Sequence, residues 1–134
     1  MKKLMMVMVA ATLVLASCSK ESKLNRKLDG SWNVVSYSVD GVDQSMTNVT
    51  MVMSFTKDKK GVGTYTNTLT VLSVPQVETG SYVLTEDATI TENKITPGTG
   101  SSTSVYTVTD YSKSDLTLTQ TSSGDVYVFK LKKI

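Results

Sequence analysis

The sequence contains no histidine and a single cysteine, Cys18, among its 134 residues. Without histidine the chain cannot form the Ser-His or Cys-His pairs that activate a nucleophile, and no imidazole can bind a metal. One cysteine excludes a disulfide within the chain and offers little to a metal site. We therefore expect no catalytic residues, no metal and no cofactor, and we interpret the protein as a non-enzyme.

Carboxylates are the remaining candidates for acid–base chemistry. They occur in three close pairs, each in a predicted turn: Asp40 with Asp43, Glu86 with Asp87, and Asp110 with Asp115. Aspartate favours the backbone geometry of turns whatever its chemistry, so we interpret the pairs as turn residues. No loop has the ligand spacing of a dedicated calcium site.

The N-terminus has the layout of a secretory signal. Lys2 and Lys3 precede an uncharged apolar run from Leu4 to Leu15, which small residues follow. This run is about a dozen residues long, whereas a helix needs roughly twenty to span a bilayer. We therefore predict that residues 1–17 are a signal peptide that is removed.

Leu15-Ala16-Ser17-Cys18 resembles the lipobox of bacterial lipoproteins. The resemblance implies that the Cys18 thiol receives a diacylglyceryl group and that its freed amine is acylated, for example with palmitate. Two or three chains hold a protein stably, whereas one gives only marginal attachment. Ser19 stands where inner-membrane lipoproteins often carry Asp, which favours the outer membrane. Ser19-Lys20-Glu21 faintly resembles a Bacteroidetes surface-export tag, and periplasmic or surface display stays open.

The charge of the mature chain is balanced. The full sequence has 14 Lys and Arg against 12 Asp and Glu, and the signal peptide removes two lysines and no acid, so twelve of each remain. No clustered basic face is evident, and we expect neither a nucleic-acid partner nor attraction to anionic lipids. A protein partner stays unknown.

Beyond the signal, residues 18–27 form a short polar segment that we interpret as a flexible tether, and residues 28–134 are long enough for one domain. Within Leu24–Asp29, two leucines four residues apart allow one helical turn that could plug a barrel. From Trp32 onward apolar residues recur at period two and no helical stripe is evident, which predicts eight strands: Trp32–Val39, Thr50–Thr56, Gly61–Val71, Gly80–Thr85, Thr89–Glu92, Ser104–Asp110, Asp115–Thr121 and Asp125–Lys132.

Short turn-like connections between these strands predict an all-β, up-and-down antiparallel barrel. Two segments, 73–76 and 96–101, contain prolines and are not expected to join the ladder. Alternation assigns one face of each strand to the interior, which then holds Met51, Met53, Phe55, Tyr65, Leu69, Tyr82, Leu84, Leu116, Leu118, Tyr127, Phe129 and Leu131.

Gly30-Ser31-Trp32 resembles the opening motif of the lipocalins, and with the lipobox and the strand meander the chain resembles the lipocalin-like lipoproteins of Bacteroidetes. The resemblance implies that Gly30 allows a tight turn into the first strand. It also implies that Trp32 closes the barrel floor beneath a basic side chain from the last strand, which could be Lys130, Lys132 or Lys133.

The leading hypothesis is an envelope lipoprotein whose barrel binds a small hydrophobic molecule. Its expected pocket lining is the inward methionine and aromatic set, because methionine adapts to varied shapes and a buried tyrosine hydroxyl needs a partner: Met51, Met53, Phe55, Tyr65, Tyr82, Tyr106, Tyr127 and Phe129. The alternative is a ligand-free structural or interaction module. Its working surface would be the threonine-rich outer face or the loops near Pro75 and Pro97.

Overall fold

The computed structural model describes residues 23–59, 61–85, 89–96 and 100–134, without the side chains of 89 and 92–102. In these ranges residues 23–28 form one helix, α1, and nine strands follow. The strands are β1 (Gly30–Val39), β2 (Val42–Asp43), β3 (Val49–Lys59), β4 (Val62–Val71), β5 (Val74–Leu84), β6 (Thr89–Thr96), β7 (Gly100–Tyr111), β8 (Asp115–Ser122) and β9 (Asp125–Lys133).

The sheet closes on itself to form an eight-stranded antiparallel barrel. Strands β3 to β9 pair in sequence order, β1 pairs with β3 on one side, and β1 pairs with β9 on the other, from Trp32 opposite Lys133 to Val39 opposite Tyr127. The short strand β2 pairs only with the end of β1 and is additional to the barrel. The predicted all-β, up-and-down barrel is therefore confirmed, and β2 is an element that the sequence did not predict.

Two of the predicted turns have the backbone conformation that their residues favour. Asp40 and Gly41 have φ of 50° and 80°, and Ser123 and Gly124 have φ of 54° and 85°. Two consecutive positive values match the twist of the flanking strands in a tight hairpin, and Asp and Gly accept this conformation readily. Composition therefore located both turns correctly.

The expectation that residues 73–76 lie outside the ladder is wrong. Leu72 and Ser73, with φ of 49° and 66°, make a two-residue turn, and β5 begins at Val74. Pro75 pairs with Thr70, one step from the closing pair. In a hairpin with a two-residue turn, the residue pair at this position exchanges no inter-strand hydrogen bonds. The absence of a backbone N–H in Pro75 therefore removes no hydrogen bond between β4 and β5.

The second proline segment is also partly in the ladder. Thr96 pairs with Gly100, and Ile95 pairs with Ser101, so β6 and β7 extend farther than predicted. Residues 97–99 lie outside the described residues, as do the predicted turn residues Glu86 and Asp87.

The barrel interior follows the alternation that the sequence predicted. Its fully buried members include Trp32, Tyr65 and Tyr82, and Phe55 meets Tyr82 edge-on with ring centroids 5.5 Å apart. Met51 and Tyr127 are partly buried and pack against this core. The buried apolar side chains are Leu24, Leu28, Trp32, Val34, Met53, Phe55, Tyr65, Tyr82, Leu84, Ile90, Tyr106, Val108, Leu116, Leu118, Phe129 and Leu131.

Helix α1 covers one end of the barrel, here called the closed end. Leu24 and Leu28 lie one helical turn apart and are buried in the core, and Asn25 beside them is also buried. Residues 23–27 are thus part of the packed domain, whereas the sequence predicted them to belong to the flexible tether. Within the described ranges, no helix is long and apolar enough to cross a bilayer.

Gly63 is required because of a neighbouring tyrosine. It pairs with Tyr82, and a Cβ at residue 63 would lie 2.6 Å from the Tyr82 ring and against the Thr56 carbonyl. We predict that Gly63→Ala lowers the free energy of unfolding by about 3 kcal/mol, because overpacking a closed core forces both strands apart. Urea unfolding monitored by Trp32 fluorescence measures this loss.

The control is Gly41→Ala, at a positive-φ turn with open space around the new methyl group. Its cost is only the backbone preference, about 1 kcal/mol. Equal losses for the two variants would contradict a steric role for Gly63.

Candidate functional site

Trp32 and Lys133 join the first and last strands at the closed end. The Lys133 ammonium lies 4.7 Å from the centroid of the Trp32 ring, and it donates hydrogen bonds to the carbonyls of Lys27, at 3.1 Å, and Asp29. The indole N–H of Trp32 donates to the Leu28 carbonyl at 2.9 Å. Of the three lysines considered from the sequence, Lys133 is the one over the indole. It ties α1, β1 and β9 together.

Gly30 leaves the space that Lys133 occupies. Its φ of 121° is a conformation that side chains with a Cβ rarely adopt, and a Cβ there would lie 2.9 Å from Lys133 Cε. Both the backbone conformation and the space occupied by the Lys133 side chain therefore require glycine at this position. Gly30, Trp32 and Lys133 form one structural unit rather than a binding site.

Asn25 connects the helix to the barrel interior. The Tyr82 hydroxyl donates to Asn25 Oδ1 at 2.7 Å, and Asn25 Nδ2 donates to the Lys59 carbonyl at 3.0 Å. Burial, with the nearby Asp29 carboxylate as a smaller cause, raises the pKa of Tyr82 to about 12. The hydroxyl is therefore a neutral donor at physiological pH, and its use is structural.

A cavity of about 450 Å³ lies toward the other end of the barrel, here called the open end. Its lining mixes apolar side chains with amide, carboxylate and hydroxyl groups, and comes from β3, β4, β5, β7 and β9: Met51, Met53, Asn67, Leu69, Gln76, Val77, Glu78, Ser104, Tyr106 and Phe129. Known small-molecule pockets have about 300 to 1,000 Å³ of volume and a mostly apolar wall with a few polar groups. The cavity falls within this size range.

Aromatic packing and one hydrogen bond shape the cavity wall. Phe129 stacks on Tyr37 at 5.9 Å and meets the edge of Tyr106 at 6.0 Å between ring centroids. The Tyr65 hydroxyl donates to Glu78 Oε1 at 3.2 Å. The Glu78 carboxylate is therefore held at the wall while part of it stays accessible to solvent.

The predicted pocket-lining residues separate into two groups. Met51, Met53, Tyr106 and Phe129 line the cavity. The other four are placed elsewhere in the interior. Phe55 and Tyr82 pack at the closed end. Tyr65 does not line the cavity itself but donates a hydrogen bond to Glu78, which does, and Tyr127 is half-buried against the core.

The polar half of the lining did not emerge from the sequence. Asn67 shares the parity of Tyr65 and Leu69, so alternation alone could have indicated it. Gln76 and Glu78 share the parity of Tyr82, but the strand was predicted to begin only at Gly80, after the segment around Pro75. Because Pro75 was expected to keep this segment out of the sheet, Gln76 and Glu78 were not predicted to face the interior.

Beside the cavity, pairing of β5 is described on one side only. Strand β5 pairs with β4 along its full length, but its pairing with β6 runs only from Gly80 to Leu84. Residues 74–79 of β5, which include three lining residues, thus have no strand partner on that side among the described residues. Gln76 and Val77 line the cavity and are exposed, so the cavity opens to solvent at this end of the barrel.

Three acidic residues lie at the open end, in and beside the turns where β1 meets β2 and β9 begins: Asp40, Asp43 and Asp125. Asp40 Oδ1 accepts a hydrogen bond from the Val126 N–H at 2.8 Å, and Asp43 is exposed nearby. The neighbouring Asp40 raises the pKa of Asp125, because hydrogen bonding and charge repulsion both disfavour a second carboxylate there.

Basic residues converge at the closed end, contrary to the expectation that no basic face exists. A cleft of about 480 Å³ beside α1 is lined by Lys23, Arg26, Lys27, Lys113 and Lys133. These residues are spread over the sequence from position 23 to position 133. The balanced total charge of the chain therefore gave no indication that they lie together.

A family model for the lipocalin-like domain matches residues 28–118, which is more than half of the chain. The chain belongs to the lipocalin-like family. Lipocalin-like domains are generally binding proteins rather than enzymes, and the fold commonly binds small hydrophobic molecules. No curated protein matches the sequence.

Solved structures support the lipocalin-like fold. A redesigned β-barrel is similar with a TM-score of 0.57 and 18% identity over 82% of this chain and 94% of that one. The siderocalin Ex-FABP, described as functioning through dual ligand specificities, has a TM-score of 0.52 and 11% identity over 80% and 73% of the two chains. At such identities the likeness establishes the fold alone.

The Trp32–Lys133 contact can be tested in the lipocalin-like domain. We predict that Lys133→Met lowers the free energy of unfolding by about 2 kcal/mol, because it keeps the aliphatic stem and removes the cation–π contact and two charged hydrogen bonds. Urea unfolding measures the change. Lys130→Met, on the exposed face of the same strand, is the control and should shift stability by less than about 0.5 kcal/mol. A similar shift in both variants would show that the cation above the indole contributes nothing.

Proposed function

We propose that this protein is a lipid-anchored lipoprotein of the bacterial envelope whose lipocalin-like barrel binds a small hydrophobic molecule carrying a polar group. The observation that carries the binding proposal is the cavity of about 450 Å³ inside the barrel, with an entrance beside β5. A barrel serving only as a spacer would gain stability if its interior were filled, because every void forfeits packing contacts.

The lining indicates the chemistry of the ligand. Met51, Met53 and Leu69 provide an adaptable apolar wall, and each methylene buried there contributes about 0.8 kcal/mol. Asn67 and Glu78 add an amide and a carboxylate on the β4 and β5 side. A neutral or cationic polar group on the ligand suits this side better than an anionic one, because an acid would face the Glu78 carboxylate.

The envelope location rests on the N-terminal sequence. Leu15-Ala16-Ser17-Cys18 has the lipobox pattern, and the preceding apolar run is too short for a membrane-spanning helix. Ser19 after the cysteine supports the outer membrane. Cys18 lies only five residues before α1, so a lipid there would hold the barrel close to the bilayer.

An alternative function as an interaction module has one observation in its favour. The β4–β5 hairpin exposes Val71, Leu72, Val74 and Val77, with 38 to 72% of each residue accessible. Exposed apolar patches on single-domain proteins often mark interaction sites. A chain whose cavity takes up no apolar probe would favour this hairpin as the working surface.

The cavity proposal predicts binding of a neutral fluorescent probe. We expect N-phenyl-1-naphthylamine, excited directly, to brighten on binding to the domain with a dissociation constant in the micromolar range, on the order of −8 kcal/mol. Met51→Trp should weaken this binding about tenfold or more, since an indole would occupy part of the cavity and cost the probe about 1.4 kcal/mol of contacts. Native mass spectrometry of the purified protein can then identify any retained ligand.

Thr50→Trp is the matched control for this prediction, because Thr50 neighbours Met51 but is exposed on the opposite face of β3. Its probe affinity should equal that of the unaltered chain. Absent binding in the unaltered protein, or an equal effect of both tryptophans, would contradict a ligand site in the cavity.

The anchor makes a separate prediction in cells. We expect the unaltered protein to incorporate a labelled fatty acid and to fractionate with the outer membrane. Cys18→Ser should abolish labelling, because only the cysteine thiol accepts the diacylglyceryl group. Ala16→Gly, which keeps a small residue in the lipobox, is the control and should be labelled normally. Membrane fractionation of an unlabelled Cys18→Ser chain would refute the lipobox interpretation.

A further inference from the structure

The charges of this protein are separated along the barrel axis. Near the closed end the five residues of the basic cleft gather, and none of the described side chains that line the cleft is acidic. Around the open end lie Asp40, Asp43 and Asp125, and no Lys or Arg side chain is described there. The mature chain is neutral in sum, yet the described basic cleft and the three described acids lie at opposite ends of the barrel.

Two described acids near the cleft have partners that do not line it. Asp115 forms a 2.8 Å ion pair with Lys132, and Asp29 Oδ1 accepts a hydrogen bond from the Lys57 N–H at 2.9 Å. Asp58 and Asp110 lie on other strands of this end and do not line the cleft. All five described residues that line the cleft are therefore cationic, and no acidic side chain is described among them.

Only two of the five basic residues of the cleft make contacts that stabilise the fold. Lys133 closes the barrel, and the Lys27 ammonium lies 5.2 Å from the centroid of the Tyr111 ring. Lys23, Arg26 and Lys113 are exposed, and bringing them together costs repulsion that the fold does not need. An anionic partner would offset this repulsion.

We propose that the basic cleft binds anionic phospholipid headgroups of the membrane and orients the barrel with its closed end on the bilayer. The choice of a membrane as occupant rests on the proposed lipid at Cys18. Lys23 is five positions after Cys18, and an extended chain of this length spans at most about 17 Å. Lysines and arginines at that distance from an anionic bilayer each contribute attraction, and the contribution falls off within a Debye length.

Docking in this way has a consequence for the proposed ligand site. The two ends of a barrel with tilted ten-residue strands are roughly 25 Å apart, well beyond the Debye length of about 10 Å in 0.1 M salt. With the basic end on the bilayer, the acidic open end lies beyond the range of the membrane charge, whereas the reverse orientation would bring its carboxylates against anionic headgroups. The cavity entrance therefore faces the aqueous compartment rather than the lipid.

The test uses the chain from Ser19, which contains α1 and every strand of the barrel and carries no lipid. We expect it to sediment with vesicles of phosphatidylglycerol mixed with phosphatidylcholine, and not with vesicles of phosphatidylcholine alone. The triple variant Lys23→Gln/Arg26→Gln/Lys113→Gln should bind about 100-fold more weakly, because each cation contributes roughly a factor of five. Circular dichroism and Trp32 fluorescence check that each chain is folded.

The control triple variant Thr50→Glu/Val105→Glu/Val126→Glu lowers the net charge equally at exposed positions away from the cleft. It should keep its affinity within about threefold, since charges beyond the Debye length are screened. Equal losses in both variants, or no binding to anionic vesicles, would overturn the proposal. Tighter binding to single-stranded DNA than to the vesicles would assign the cleft to nucleic acid and overturn it as well. Because this chain lacks Cys18, the result is independent of lipidation.

Discussion

The barrel depends on the closure of its sheet where β1 meets β9, and this closure is secured at one end by Trp32 and Lys133. An open sheet of this length would expose two edges with unpaired backbone groups, which is a risk for aggregation. The lysine crosses the seam, covers the indole and binds carbonyl groups at the end of α1. Gly30 supplies the space that makes this crossing possible. The pairing of β1 with β9, the docking of α1 and the closure of this end of the barrel therefore depend on the same three residues, Gly30, Trp32 and Lys133.

This arrangement divides the interior into two parts with different roles. Near α1, large buried aromatic side chains pack in the barrel, and Tyr82 donates a hydrogen bond to Asn25. Toward the other end the described pairing of β5 with β6 stops at Gly80, and methionines and polar side chains surround a cavity. The packed half supplies the rigidity that a preformed pocket requires.

Residues that were hard to interpret in the sequence are explained by contacts between distant segments. Pro75 indicated a break, yet it occupies a pair in which no backbone N–H is needed. Glu78, three positions later, then reaches the cavity wall. The basic cleft was equally hidden, because charge was counted along the chain, whereas α1 and the β7–β8 turn bring Lys23 and Lys113 together. Periodicity describes one strand at a time and contains no information on which turns share an end.

The sequence by itself determined the all-β class, the number of barrel strands, most of the inward-facing residues and the turns at Asp40–Gly41 and Ser123–Gly124. These are local properties, since alternation and turn chemistry depend on neighbouring residues. Only the tertiary structure decided that Lys133 covers Trp32, that four of the eight proposed lining residues reach the cavity, and that opposite charges occupy opposite ends. Each of these is a relation between segments far apart in the chain, which exists only once the barrel has closed.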